Sequence, residues 1–432
     1  MDFRKARGRE IALLGHVSKR GDVWLVLSQT RAGVRYKVTI DDDKQTCGCA
    51  DFKANGKPCK HIHGAIYTVE FPASNLIDPV PTAVEKTKQT YSQDWRNYNL
   101  AQTEEKPLLM RLLSGFCQSI EDDEPKGRGR PGIPTRDMAF AICYKVYEGV
   151  STRRFIPDLR LAHRSGFISC APHFNSIIGA MKDVEMTQVL LDLVDQTSVP
   201  LRDFERTFAA DSSGFGNSRF DRWIDIKDPT KRQKQHTWTK VHLMCGVSTH
   251  IVTAVVIKDK DASDPPQLPS LVKMTAKNFQ ISEVYADKAY GSINNYQVIA
   301  EHGAVPYIDF KSNHTGKGRS RSGTMSRGTE LWQRMFHMFQ MHADEFYAHY
   351  HQRSNVESVF SMIKAKTGDV VRSKSEAAML NEVLCKIVCH NICVLIMAMF
   401  ERGLDLDELL VPKVRRPTLR VYEGGLSQSP VA

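Results

Sequence analysis

The stretch Tyr350-His-Gln-Arg353-Ser-Asn-Val-Glu357-Ser-Val-Phe-Ser-Met-Ile-Lys364 limits the possible folds of this chain more than any other. Take it as a helix of ~3.6 residues per turn with Glu357 at zero. Arg353 then falls at about −40°, Tyr350 at about +20° and Lys364 at about −20°. The four polar side chains share one narrow stripe. Val356, Val359, Phe360 and Ile363 lie elsewhere on the helix and can face a core. A solvated surface with one i,i+4 ion pair, worth a few tenths of a kcal/mol, would account for Arg353 and Glu357. It leaves Tyr350 and Lys364 on the same line unexplained. The rest of the fold must supply whatever this stripe faces.

Upstream, the hydrophobic period changes near Phe208. Residues 107–201 read mostly as helix, with a start signal at Pro134-Thr135-Arg136-Asp137 and helical spacing again over 184–194. Beyond Phe208 come strand patterns. Phe208-Ala209-Ala210-Asp211 reads as a strand end. Residues 240–246 and 251–257 flank the turn Ser248-Thr249-His250, and 284–287 and 305–308 follow. A helix over about 350–366 and a long apolar one over 376–401 close the pattern. Strands followed by a helix that bears a carboxylate predict an α/β layered domain. Near the start, alternation over 22–40 predicts a β-hairpin. Residues 71–106, rich in Pro, Ser, Thr, Gln and charge, read as a linker. The expected organisation is 1–70 hairpin and cysteine knuckle, 71–106 linker, 107–205 helical DNA-binding region, 206–402 α/β domain, and 403–432 tail.

The stripe is Tyr-x2-Arg-x3-Glu-x6-Lys, and with it the chain resembles the DDE transposases of prokaryotic insertion sequences. A chance match in a chain of this length is on the order of a few per thousand, each residue type taking roughly one position in twenty. The resemblance calls for an acid at the end of a first strand, which Phe208-Ala-Ala-Asp211-Ser-Ser-Gly-Phe supplies. It also calls for a second acid followed by a small and then an aromatic residue, as in Val284-Tyr-Ala-Asp287-Lys-Ala289-Tyr290-Gly291. Alone, either aspartate would read as a turn residue; in this order and context they read as catalytic. The resemblance covers roughly 107–402 and implies a ribonuclease H-like fold that gathers Asp211, Asp287 and Glu357 around two Mg²⁺ or Mn²⁺ ions. Hard oxygen ligands suit such cations, and two of them about 3.5–4 Å apart serve in-line phosphoryl substitution.

By the same resemblance, Arg353 and Lys364 would contact DNA phosphates near the cut bond and Tyr350 would position the strand end. An Arg353 that only orients Glu357 stays open. The implied reaction cleaves the transposon ends and joins the freed 3′-hydroxyl to target DNA. The implied partners are double-stranded DNA and a second copy of the chain, although no heptad pattern is present. Two other readings remain: a metal-dependent nuclease of the same fold, and a transposase-derived DNA-binding protein without catalysis.

A second motif lies at Cys47-Gly-Cys49, nine residues, then Cys59-Lys-His61. Three thiolates and an imidazole at such spacing make a tetrahedral structural Zn²⁺ site. Three unrelated core cysteines fit poorly with Asp51, Lys53 and Lys57 around them. The segment 34–70 is similar to the SWIM-type zinc finger. His63 competes with His61 as fourth ligand, and the finger's partner, DNA or protein, stays open.

Charge agrees with a nucleic-acid partner. Fifty-nine Lys and Arg against 49 Asp and Glu give a formal charge of +10, which favours phosphate contacts through counterion release. Basic, glycine-containing stretches hold Arg128 and Arg130, then Lys317, Arg319 and Arg321, as further candidate DNA contacts. Cys385, Cys389 and Cys393 recur at i, i+4, i+8, but Val388, Ile392 and Leu395 make that a core helix. The opening residues lack a signal-peptide core. The most apolar run, 387–400, reads as too short to span a bilayer. The expected location is the cytoplasm of a prokaryote, in association with the nucleoid.

Overall fold

Why residues 22–40 alternate becomes clear from what they pack on. In the computed structural model, which describes residues 3–13, 16–28, 34–41, 44–70, 94–121, 132–216, 238–311, 314 and 327–410, the chain forms two units, Met1–Ser92 and Gln93–Ala432. The first runs α1 (Phe3–Leu13), β1 (Val17–Arg20), β2 (Val23–Leu27), β3 (Arg35–Ile40), β4 (Gln45–Cys47), α2 (Ala50–Asn55) and α3 (Lys60–Glu70). Its strands make an antiparallel sheet in the order β1-β2-β3-β4, so the expected hairpin is the middle of a four-stranded meander. β1 escapes sequence reading because only Val17 joins the core, its other residues being exposed. Ile11, Val26, Val38, Ile62 and Ala65 are fully buried. Helix α1 crosses α3 at Gly8, where a Cβ would come 2.5 Å from His63 Cβ and 2.7 Å from the Gly64 nitrogen. A glycine inside a helix normally argues against one; here the close crossing requires it.

The second unit begins with helices α4 (Trp95–Thr103), α5 (Glu105–Cys117), α6 (Thr135–Glu148), α7 (Thr152–Arg164), α8 (Phe174–Met181) and α9 (Val184–Ser198). Residues 95–106, expected as linker, are therefore helical. The Asp94 carboxylate caps α4 by accepting from the Asn97 N–H at 3.2 Å, and Ala101 is buried. The polar composition of that stretch belongs to the outer face of a helix.

Then follow β5 (Thr207–Gly216), β6 (Trp238–Gly246), β7 (Val252–Asp259), α10 (Leu268–Thr275), β8 (Glu283–Ala286), α11 (Ile293–Glu301) and β9 (Val305–Ile308). The unit closes with α12 (Arg327–Met341), α13 (Ala343–Tyr350), α14 (Ser354–Thr367), α15 (Glu376–Arg402) and α16 (Leu406–Leu410). The sheet order is β7-β6-β5-β8-β9. β5, β6 and β7 are antiparallel, while β8 and β9 run parallel to β5 and to each other. This is the ribonuclease H-like arrangement.

One continuous core joins the helices to the sheet, so the expected border near 205 does not separate two bodies. The reason is α15, which packs on α4, α5, α6 and α9 and also reaches β7. Asn391, fully buried on α15, exchanges hydrogen bonds with the Val252 N–H and C=O, both at 2.9 Å. By length and composition α15 could cross a bilayer, contrary to the sequence expectation, but 78% of its most apolar window is buried within the protein. The cysteine stripe is core as expected: Cys385 Sγ lies 3.7 Å from Cys143 Sγ, and Cys389 Sγ lies 3.3 Å from the Cys143 carbonyl. Trp332 packs edge-on against Tyr296 and Phe310, fixing α12 over the sheet edge. The start of the expected tail is docked, with Leu406 and Leu409 buried; residues 411–432 lie outside the described residues.

Candidate active site and metal centre

β5 is longer than its expected end at Asp211, because β6 pairs along it from Phe208 to Gly216. β8 pairs only with the first four, the last partners being Ala210 and Ala286. Asp211 and Asp287 are thus the next residues along two adjacent parallel strands, in register, at the point where the pairing stops. In-register neighbours point to the same face, and adjacent strands lie about 4.8 Å apart. One oxygen of each carboxylate is held by the next backbone N–H: Asp211 Oδ1 accepts from the Ser212 N–H and Asp287 Oδ1 from the Lys288 N–H, both at 2.7 Å.

The stripe meets them, though not on one helix. α13 ends at Tyr350, a 3₁₀ turn covers His351–Arg353, and α14 starts at Ser354. In a 3₁₀ turn residues i and i+3 eclipse, so Tyr350 and Arg353 stay in line despite the break. Val356, Val359, Phe360 and Ile363 are buried, as expected. Arg353 Nη1 lies 3.0 Å from Asp211 Oδ2, and Arg353 Nη2 donates to Glu357 Oε1. Along β5 the same face carries Asp211, Ser213 and Phe215. Lys364 Nζ donates to Ser213 Oγ at 2.7 Å and lies 5.2 Å from the Phe215 ring.

The electrostatics reflect this crowding. Burial raises the Asp211 pKa, and the Asp287 and Glu357 carboxylates add to that; the Ser212 N–H and Arg353 oppose it. Burial works against the Arg353 charge, yet Glu357 and Asp211 outweigh it and raise its pKa. Burial pushes the Tyr350 phenol up to about 12, with Arg353 and Asp287 among its charged neighbours. Burial lowers the Lys364 pKa. Arg353 thus links Asp211 to Glu357, Asp287 stands beside Asp211 in register, Tyr350 borders Arg353, and Lys364 reaches β5 two residues farther on, at Ser213. Arg128, Arg130, Lys317, Arg319 and Arg321 lie outside the described residues.

Several supporting residues escape sequence reading. Behind Asp211, Ser212 Oγ donates to Asp264 at 3.2 Å, and Lys240 Nζ lies 2.6 Å from the same carboxylate. The Tyr290 hydroxyl lies 3.0 Å from His242 Nδ1 and ties the turn after Asp287 to β6. Burial keeps His242 neutral, its pKa pushed down to about 4. The chain leaving α14 is pinned to the end of β5: the Gly216 N–H donates to the Asp369 carbonyl at 3.1 Å and the Val371 N–H to the Gly216 carbonyl at 2.8 Å. Buried Lys386 donates to the carbonyls of Thr367, Gly368 and Val370 at 3.0, 2.7 and 3.1 Å. Glu382, one turn earlier on α15, accepts from the Arg372 and Ser373 N–H groups. Only Tyr290 carried a sequence signal, as the aromatic after Asp287.

In the first unit, Cys47, Cys49, Cys59 and His61 are buried with all their ligand atoms within 4.8 Å of one another. Cys47 Sγ and Cys59 Sγ lie 3.9 and 3.7 Å from His61 Nδ1. Those are edges of a tetrahedron with bonds of about 2.0–2.3 Å, which fits zinc. β4 and the α2 N-terminus bring in Cys47 and Cys49, and the Phe52 N–H donates to Cys49 Sγ at 3.4 Å. A hydrogen bond with Cys47 lowers the Cys59 thiol pKa, while the same bond raises that of Cys47. Sulfurs sharing a proton in this way are a donor set that a dication can take over. His61, not His63, belongs to the cluster; the His63 Cβ abuts Gly8 on α1.

These two sites coincide with the regions that match known families. Residues 193–392 match the family described as transposase DDE domain, and residues 36–70 match the SWIM zinc finger. No curated protein matches the chain, and no solved structure does. The matched stretches contain the three acids with their stripe and all four zinc ligands. The chain therefore carries a transposase DDE domain together with an N-terminal SWIM zinc finger.

Proposed function

We propose that this protein is a DNA transposase that cleaves its element's ends and joins them to target DNA, with Asp211, Asp287 and Glu357 holding two Mg²⁺ or Mn²⁺ ions. The observation that carries this reading is the set of links around Asp211: Arg353 joins it to Glu357, and Asp287 stands beside it in register on the next strand. Carboxylate oxygens are the hard donors that suit divalent cations. When bound, such ions activate an attacking water or hydroxyl and stabilise the leaving oxygen of a phosphodiester.

The chain's own residues do the rest. Lys364, held by Ser213, presents a fixed positive charge to a backbone phosphate. Arg353 offers a planar fork suited to phosphate oxygens. Tyr350 keeps its phenolic proton at neutral pH and can donate it to the strand end while its ring limits where that end lies. The buried contacts of Lys386, Glu382 and the Gly216 backbone hold the C-terminal end of α14 against β5, which keeps Glu357 opposite Asp211.

The partner in this reading is double-stranded DNA, bound by a homodimer on paired ends in a prokaryotic cytoplasm. Exposed Arg153, Arg154, Arg160 and Arg164 on α7 support a DNA-binding role for the helical segment. The test is metal-dependent cleavage of duplexes carrying the element's ends, comparing wild type with Glu357→Gln. Loss of 3′-hydroxyl products with DNA binding retained is expected; equal activity would remove Glu357 from the site. Nicks without joined products would favour a nuclease instead. An Asp211→Ala protein with full biological activity would point to a non-catalytic DNA-binding protein.

A further inference from the structure

We infer that Arg353 is a latch on the ion site: its guanidinium occupies the cation position between Asp211 and Glu357 until a DNA phosphate draws it away. This rests on the reading of Asp211, Asp287 and Glu357 as ion ligands. With Oδ1 of Asp211 engaged by the Ser212 N–H, Oδ2 is the oxygen left to face a cation, and Arg353 Nη1 lies 3.0 Å from it. Its other terminal nitrogen donates to Glu357 Oε1. One side chain thus bridges a strand acid and the helix acid, two of the three residues that would hold a divalent ion.

The two arrangements exclude each other. A dication on Asp211 Oδ2 and Glu357 Oε1 would face a guanidinium at hydrogen-bond distance, and like charges so close repel strongly in a partly buried site. The Arg353, Asp211 and Glu357 side chains are 21%, 21% and 56% exposed, so the site is sheltered from full solvent screening while Arg353 keeps a route outward. A phosphate offers two anionic oxygens that the guanidinium fork can take together, in place of one oxygen from each carboxylate. Exchange of carboxylates for phosphate leaves the arginine paired throughout and frees two acids for ions. Ion binding and DNA binding are then coupled, and the coupling is reciprocal. Functionally, this holds the ion site closed until DNA engages it, which limits hydrolysis away from the proper substrate.

The test is Mn²⁺ binding to the full-length, zinc-loaded protein without DNA, followed by electron paramagnetic resonance or calorimetry, so no turnover is needed. Arg353→Gln should bind Mn²⁺ on the order of tenfold more tightly than wild type. Arg353→Lys, which keeps the charge but loses the fork, should fall between them. Adding a duplex that carries the element's ends should tighten Mn²⁺ binding to wild type and leave Arg353→Gln nearly unchanged. Equal or weaker Mn²⁺ binding by Arg353→Gln would overturn the latch and leave the arginine as an orienting residue. Wild-type Mn²⁺ binding that survives both Asp211→Asn and Glu357→Gln would instead overturn the ion site, and the latch with it.

Discussion

Replacing Asn391 with leucine tests whether α15 is bound to the sheet by hydrogen bonds or only by apolar packing. Asn391 is fully buried. Its Oδ1 accepts from the Val252 N–H at 2.9 Å, and its Nδ2 donates to the Val252 carbonyl at 2.9 Å and to Thr197 Oγ1 at 3.1 Å. The amide therefore pairs with the β7 backbone much as a neighbouring strand would. Leucine has the same branched heavy-atom skeleton and is somewhat bulkier, so no cavity forms, but Val252 loses both partners in a dry interior. Leaving a buried backbone group unpaired costs about 1–3 kcal/mol. Two such groups, less about 1 kcal/mol regained from apolar burial, give a net loss of roughly 1–5 kcal/mol. At roughly 2 °C per kcal/mol for a unit of this size, the unfolding midpoint should fall by about 2–10 °C in differential scanning calorimetry. Hydrogen exchange at the Val252 amide should accelerate in the same variant. A midpoint within about 1 °C of wild type, with Val252 still protected, would refute the claim that these bonds hold the two layers together.

Two further outcomes follow from the same physics. Burial depresses both His390, which donates to the His250 carbonyl at 3.0 Å, and His242 to pKa values of about 4. Protons therefore bind the unfolded chain but not the native one as pH falls from about 6.5 to 4, and stability should drop across that window by about 3 kcal/mol per histidine and level off below it; a His390→Gln midpoint with an undiminished acid slope would contradict this. Removing zinc with a chelator, or substituting Cys59→Ser, should strip hydrogen-exchange protection from α3, because metal binding supplies folding energy in small domains; unchanged protection there would deny the ion a structural role.

The features legible in the sequence are those whose geometry is local. Glu357 and Lys364 are two helical turns apart wherever the helix packs, and Cys47, Cys49, Cys59 and His61 lie close enough in the chain to close on one ion. The apolar runs before Asp211 and Asp287 announced buried strands because central strands bury both faces. Local reading failed where a partner decides the structure. Gly8 reads as a breaker until α3 lies against it, and 95–106 reads as linker until α4 packs on α15. Tertiary structure alone sets the register of β5 against β8, which puts Asp211 beside Asp287, because strand pairing joins segments that a crossover separates. It alone makes Lys386, Glu382 and Asn391 structural: their partners are backbone groups, in the turn before α15 for the first two and on β7 for the third, and backbone groups leave no residue pattern to read.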